Sequence, residues 1–252
     1  KDLKKNFIMK MNEIRDKVIL KHSKFIKTPE IEILGGVVFG DDAINPPDEV
    51  KGSFINSGLL HILAASGMNV AFIYGFWFFF LNNIFKLPYK FTIASGMAVI
   101  LIYAMMTGLG ASIVRATIMI LFVLIGKLID RDTHSIALLS LVAMIMLIYN
   151  PAYINDVSFQ LSFIVTFGLF TMGNITSQRI KNVPNRIKMA ILIPIVAQIW
   201  VAPIQMFYFN TFSIYAIPAN ICCVTLVSVI SFAGFISSIF SPSSDSATLT
   251  NS

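Results

Sequence analysis

The residue best placed for chemistry in this chain is Arg115. It stands in Thr107-Gly108-Leu109-Gly110-Ala111-Ser112-Ile113-Val114-Arg115-Ala116-Thr117, and no other charged side chain occurs between Lys90 and Lys127. A guanidinium in such apolar surroundings has two uses. It can snorkel to an interface or bind helix-end carbonyls, or it can face a wet cavity and grip phosphate with its planar fork. His61, Ser66 and Asn69 lie close together in the stretch opened by Gly58, beside the Ser66-Gly67 pair. A serine and a histidine are two parts of a nucleophilic site, but no acid stands at a fixed spacing to orient the histidine. Hydrogen bonding between helices beside small residues is the plainer use. Asp156 precedes Val157-Ser158-Phe159-Gln160-Leu161-Ser162 in the position of a helix N-cap. Gln198, Gln205 and Asn220 add amides further on, interleaved with Pro194, Pro203 and Pro218. Broken helices are tolerated where they are buried or line a water-filled path. These residues therefore mark a polar route through an apolar body, without saying what travels along it.

Other chemistry is thin. The histidines are His22, His61 and His134, and Cys222 and Cys223 are adjacent, which permits a disulfide only with strain. Neither set suggests a metal site. No cofactor, metal or catalytic residue is expected, and the chain reads as a protein other than an enzyme. The basic excess is local. Residues 1–27 hold nine Lys/Arg against three Asp/Glu, and the other 225 residues balance. In that segment Leu3, Phe7, Met11, Ile14, Val18 and Phe25 recur at helical spacings, with Lys4, Lys5, Lys10 and Lys17 between them. A basic amphipathic helix of this kind suits an anionic partner or a membrane interface.

The elements that must position these residues are read from composition. Of 252 residues, 56% are hydrophobic and 13% charged, with 22 Phe and 12 Met. Mean hydropathy is +0.77. Soluble domains carry about 25% charged residues, so a soluble enzyme, a disordered chain and a disulfide scaffold are excluded. The pattern predicts an all-α, polytopic transmembrane bundle of about seven segments, some short or broken: 58–81, 91–107, 111–129, 135–149, 157–173, 187–209 and 214–240. The organisation is then 1–57, an external amphipathic helix and acidic, turn-rich connector; 58–240, the transmembrane domain; and 241–252, a polar disordered tail. The start at Lys1 without Met reads as a piece of a longer protein. Lys and Arg gather in loops 82–90, 127–134 and 174–188 and are absent from the intervening loops. That alternation puts the basic loops in the cytoplasm and residues 1–57 outside.

Several stretches carry a family resemblance. Ser57-Gly58-Leu59-Leu60-His61-Ile62-Leu63-Ala64-Ala65-Ser66-Gly67 resembles the Gly-Leu-x-His-Leu-Leu-Ala-x-Ser-Gly signature of the ComEC-type competence proteins. Gly40-Asp41 upstream, Thr107-Gly108 through Ser112 and Arg115-Ala116, and Asn150-Pro151 through Asp156 to Ser158-Phe159-Gln160-Leu161-Ser162-Phe163 agree in order, as do Pro203, Phe207 and Asn220. The resemblance covers roughly residues 30–240. Two positions depart from the family pattern: Asn69 and Asn150 stand where His and Asp are frequent.

The resemblance implies a cytoplasmic (inner) membrane, multi-pass channel that passes single-stranded DNA during natural transformation. It implies a path including His61, Ser66, Gly67, Asn69, Arg115, Asp156, Gln160, Gln205 and Asn220. Single-stranded DNA and membrane lipid are the implied partners, with Lys4, Lys5, Lys10 and Lys17 meeting phosphate or the membrane surface. An oligonucleotide-binding domain and a metal-dependent hydrolase domain belong to the family pattern and lie outside this sequence. A cytoplasmic DNA-translocating partner is also implied. A secondary transporter of a small solute is the rival reading, since its broken helices and midplane polar groups look alike. A purely structural membrane protein is a third.

Overall fold

The computed structural model describes residues 30–39, 66–179 and 184–209, most of 12–20, the stretches 26–28 and 52–54, and a few single positions. Every regular element longer than a turn among them is helical. The elements are α1 (Glu30–Phe39), α2 (Gly67–Phe79) running into a π-helical turn (Phe80–Ile84), α3 (Tyr89–Met106), α4 (Ala111–Leu128), α5 (Ser135–Tyr149), a 3-10 turn (Pro151–Asn155), α6 (Val157–Arg179) and α7 (Asn185–Phe209). Six of the expected apolar segments fall on α2 to α7. The segment 214–240 apart from Pro218, the tail 241–252, and His61, Asn220, Lys4, Lys5 and Lys10 lie outside the described residues.

Three stretches are long and apolar enough to cross a membrane: Tyr89–Met106, Ala111–Leu128 and Ile191–Tyr208. Ser135–Tyr149 and Val157–Met172 are shorter apolar helices. Their outward faces are apolar too. Ile148, Tyr149 and Phe207 are 75%, 74% and 79% exposed. Large apolar side chains turned outward along whole helices suit lipid rather than water, and the chain is a helical membrane protein.

The described helices divide into two compact units, α1–α3 in one and α4–α7 in the other. In the first, α1 lies within residues 1–57, on the short apolar run of the connector. The run Ile31–Phe39 is too short to span, but its C-terminal end is buried: Val37, Val38 and Phe39 are 3–4% exposed. A buried helix end leaves carbonyls that need donors. The Asn69 amide of α2 donates to the Val37 carbonyl at 2.7 Å, and the Tyr103 hydroxyl of α3 donates to the Val38 carbonyl at 2.7 Å. Val18, from the basic N-terminal segment, packs on Val38 and Phe39. Arg15 is also buried, with Nε donating to Asp16 at 3.0 Å, while Lys17 is exposed.

Tyr103→Phe removes one donor and leaves the Val38 carbonyl in dry surroundings, where Tyr103 is 2% exposed. We expect a loss of about 1–3 kcal/mol, the usual cost of an orphaned buried group, measured by unfolding in detergent. A variant as stable as the wild type would show that the bond contributes nothing.

The contact between α2 and α3 depends on a small residue. A Cβ on Gly96 would lie 2.8 Å from the Tyr74 ring, and beside it the Trp77 indole donates to Ser95 at 3.1 Å. Then α3 ends by a mechanism visible in Thr107-Gly108. The Thr107 hydroxyl donates to the Ala104 carbonyl at 3.0 Å, Gly108 turns left-handed at φ 79°, and the Leu109 amide returns to the same carbonyl at 3.3 Å. This closure satisfies the helix-end carbonyls and needs glycine at the turn.

In the second unit, Ala111, Leu138, Val142, Met146 and Phe159 form a core shared by α4, α5 and α6. Two loop expectations change. The basic loop 174–188 is mostly helical, because α6 runs to Arg179 and α7 begins at Asn185. Pro194 and Pro203 do not break their span: α7 continues through both. A proline costs one backbone bond and crowds the carbonyl four residues back. In a long apolar helix the flanking turns and a packed neighbour can hold the axis through that loss, and here α6 supplies the neighbour.

Candidate functional site

The site is assembled on facing stripes of α4 and α6. On α4, Ser112, Arg115 and Met119 are spaced by three and four residues and share a face. On α6, Ser162 and Thr166 are one turn apart, with Phe163 beside them. The Arg115 Nε donates to the Ser162 hydroxyl at 2.6 Å and Nη1 donates to the Thr166 hydroxyl at 2.7 Å. The Met119 sulfur lies 3.7 Å from Nη1, and the Phe163 ring centroid is 5.9 Å from the guanidinium carbon. Both hydroxyls have their own acceptors. Ser162 donates to the Ser112 hydroxyl at 3.2 Å, and Thr166 donates to the Ser162 carbonyl at 2.8 Å.

This differs from the helix-end carbonyls weighed from the sequence: the arginine sits half-buried on side-chain hydroxyls of a neighbouring helix. All of its partners are neutral, and no carboxylate among the described residues pairs with it. The guanidinium is therefore held in place with its positive charge uncompensated among the described residues.

The start of α6 sets the register of that seat. Asp156 accepts from the Ser158 and Phe159 amides at 2.7 and 3.2 Å, which is the N-cap its spacing predicts. Just upstream, the Asn150 side chain accepts from the Ala152 amide at 3.1 Å and opens the 3-10 turn at Pro151. Phe159 follows the cap into the core, stacked 6.0 Å from Tyr153 and tilted against Phe163 at 4.4 Å between centroids. With that anchor fixed, Ser162 and Thr166 face α4.

The other candidates separate. Gln160 donates to the Ile154 carbonyl at 2.8 Å and to the Tyr208 hydroxyl at 3.2 Å, tying the start of α6 to the end of α7. Gln205 accepts from Gln198 at 3.2 Å along α7, with Pro203 between them in sequence. Ser66 takes the N-cap position of α2 without a side-chain cap bond, Gly67 is the first residue of that helix, and Asn69 is spent on α1. Asp156, Gln160 and Arg115 thus lie in one unit, and Asn69 in the other. Thr166 and Tyr103 were not singled out from the sequence. A search for acceptors for Arg115 would have stopped at hydroxyls one turn apart on a helix without acids, but it could not have chosen α6 without the fold.

Together, the apolar helices and the hydroxyl-seated intramembrane arginine define a polytopic helical membrane protein with a built polar site. The family model described as Competence protein matches residues 37–251, and the chain belongs to the competence protein family. It is similar to ComE operon protein 3 of Bacillus subtilis (strain 168), with 27% identity over 219 residues, covering 87% of this chain and 27% of that protein. It is also similar to an uncharacterized protein of Aquifex aeolicus (strain VF5), with 29% identity over 152 residues, covering 60% of this chain and 35% of the relative. The chain thus spans about a quarter to a third of the length of these relatives. No solved structure matches it.

Proposed function

We propose that this chain is the membrane domain of a DNA-uptake protein and passes single-stranded DNA across the cytoplasmic membrane. The observation that carries the reading is Arg115: a guanidinium fixed within a membrane domain, with no acid paired to it among the described residues, in a member of the competence family. A strand needs contacts that attract phosphate without trapping it. One arginine among amides and hydroxyls meets that need better than a wall of lysines. In this reading the chain guides the strand and does no bond-breaking. An oligonucleotide-binding domain, a hydrolase domain and a cytoplasmic translocating partner act beside it. Exposed Lys17 and its neighbours concentrate incoming DNA outside. The unbroken course of α7 through Pro194 and Pro203 removes a support that the strand and small-solute readings shared.

The test is uptake of labelled single-stranded DNA by cells whose only copy of the protein is this one. Uptake should be insensitive to base sequence and suppressed by an unrelated polyanion. Unchanged uptake in cells lacking the protein, or saturable flux of one small compound through it, would overturn the reading.

The orientation has its own test. Lys86 and Thr133 are exposed, in the turns after α2 and α4, and the positive-inside rule assigns both to the cytoplasm. Single cysteines there, with Cys222 and Cys223 replaced, should resist a membrane-impermeant thiol reagent in intact cells and react after permeabilisation. Labelling from outside would invert the topology.

A further inference from the structure

We infer that the hydroxyl seat is what makes Arg115 usable: Ser162 and Thr166 fix the guanidinium without neutralising it, so that its charge remains available to a passing phosphate oxygen. This rests on the reading of Arg115 given above and adds two positioning residues to it.

An arginine inside a membrane domain ordinarily pairs with an acid, which lowers the cost of keeping it there. No such pair forms among the described residues. From Val157 to Gln178, α6 has no ionisable side chain, and α4 has no acid at all. The acceptors are two hydroxyls, and each is oriented from behind. Ser162 sends its proton to Ser112 and Thr166 sends its own to the Ser162 carbonyl. Both oxygens therefore turn lone pairs to the arginine. Nε and Nη1 are engaged, while Nη2 donates to nothing among the described residues. A guanidinium fixed at two nitrogens still offers the N–H groups of the third to an oxyanion. A carboxylate in the seat would hold the same geometry and cancel the charge. The seat therefore excludes acids for a functional reason, at some cost in stability.

The decisive comparison is Thr166→Asp against Thr166→Asn in the full chain in competent cells. The two side chains have nearly the same shape and differ in charge. Uptake of labelled DNA is divided by the amount of membrane-inserted protein. Thr166→Asp should transport about tenfold less than Thr166→Asn, because a formed ion pair removes the charge that would meet phosphate. Ser162→Asp and Ser162→Asn ask the same question at Nε and serve if the first pair lowers insertion. Equal uptake by the Asp and Asn variants, with Arg115→Gln inactive, would overturn the charge argument and leave Arg115 as a phosphate contact. Normal uptake by Arg115→Gln would overturn both.

Discussion

Arg115→Gln will lose most DNA uptake per inserted molecule, and Arg115→Lys will keep part of it. Hydrogen bonds to charged groups are worth about 1.5–3 kcal/mol. If one such bond forms to phosphate in the rate-limiting passage, its removal lowers the rate by roughly ten- to a hundredfold. Lysine keeps the positive charge but replaces the fork with a point charge on a flexible stem. It cannot hold Ser162 and Thr166 together while presenting a further donor at a fixed angle, so it should fall between glutamine and wild type.

The same variants separate guidance from architecture. If Arg115 only tied α4 to α6, its loss should reduce folded protein. The seat argues against a large loss. Ser162 and Thr166 donate to acceptors of their own, so neither hydroxyl is stranded when the guanidinium goes. Removing a half-buried charge also removes a desolvation cost. Inserted protein should therefore stay near the wild-type amount in both variants while uptake falls. A fall in inserted protein that accounts for the whole loss of uptake would assign Arg115 to structure.

How far the sequence could be read follows from the range of the interactions. Asp156 was legible because a cap acts over three residues and its signal is local. The helices α3 and α4 were legible because an eighteen-residue stretch of high mean hydropathy with at most two charges has few other uses. The end of α1 was not, because a run of this length is ambiguous until Asn69 and Tyr103 supply its donors from 32 and 65 residues away. Arg115 was visible as an anomaly, but its partners were not. Ser162 and Thr166 lie 47 and 51 residues further on, and one serine or threonine on an apolar helix looks like another. The prolines of α7 misled because local propensity argues for a break, whereas the structure carries the helix through them.

Gly168→Ala will loosen α6 from α7 although it adds one methyl group. Gly168 is buried, and a Cβ built on it collides with the Trp200 indole. That indole is held on two more sides: the Phe167 ring meets it edge-on at 5.7 Å between centroids, and its Nε1 lies 3.3 Å from the Met172 sulfur. It cannot retreat without giving up both contacts. Overpacking of this kind costs about 1–3 kcal/mol, and the aromatic pair about 0.5–1.5 kcal/mol more if it is lost. In lipid the penalty is not softened by a hydrophobic drive, because helix association there depends on packing and hydrogen bonds. The measurement is unfolding of the purified protein in detergent, with cysteine cross-linking between α6 and α7 as a second readout. Trp200→Leu will also destabilise the protein alone, but combined with Gly168→Ala it should cost less than the sum, with a coupling of about 0.5–3 kcal/mol, as expected for residues in contact. Strict additivity, or Gly168→Ala as stable as the wild type, would show that the two helices do not meet at this residue.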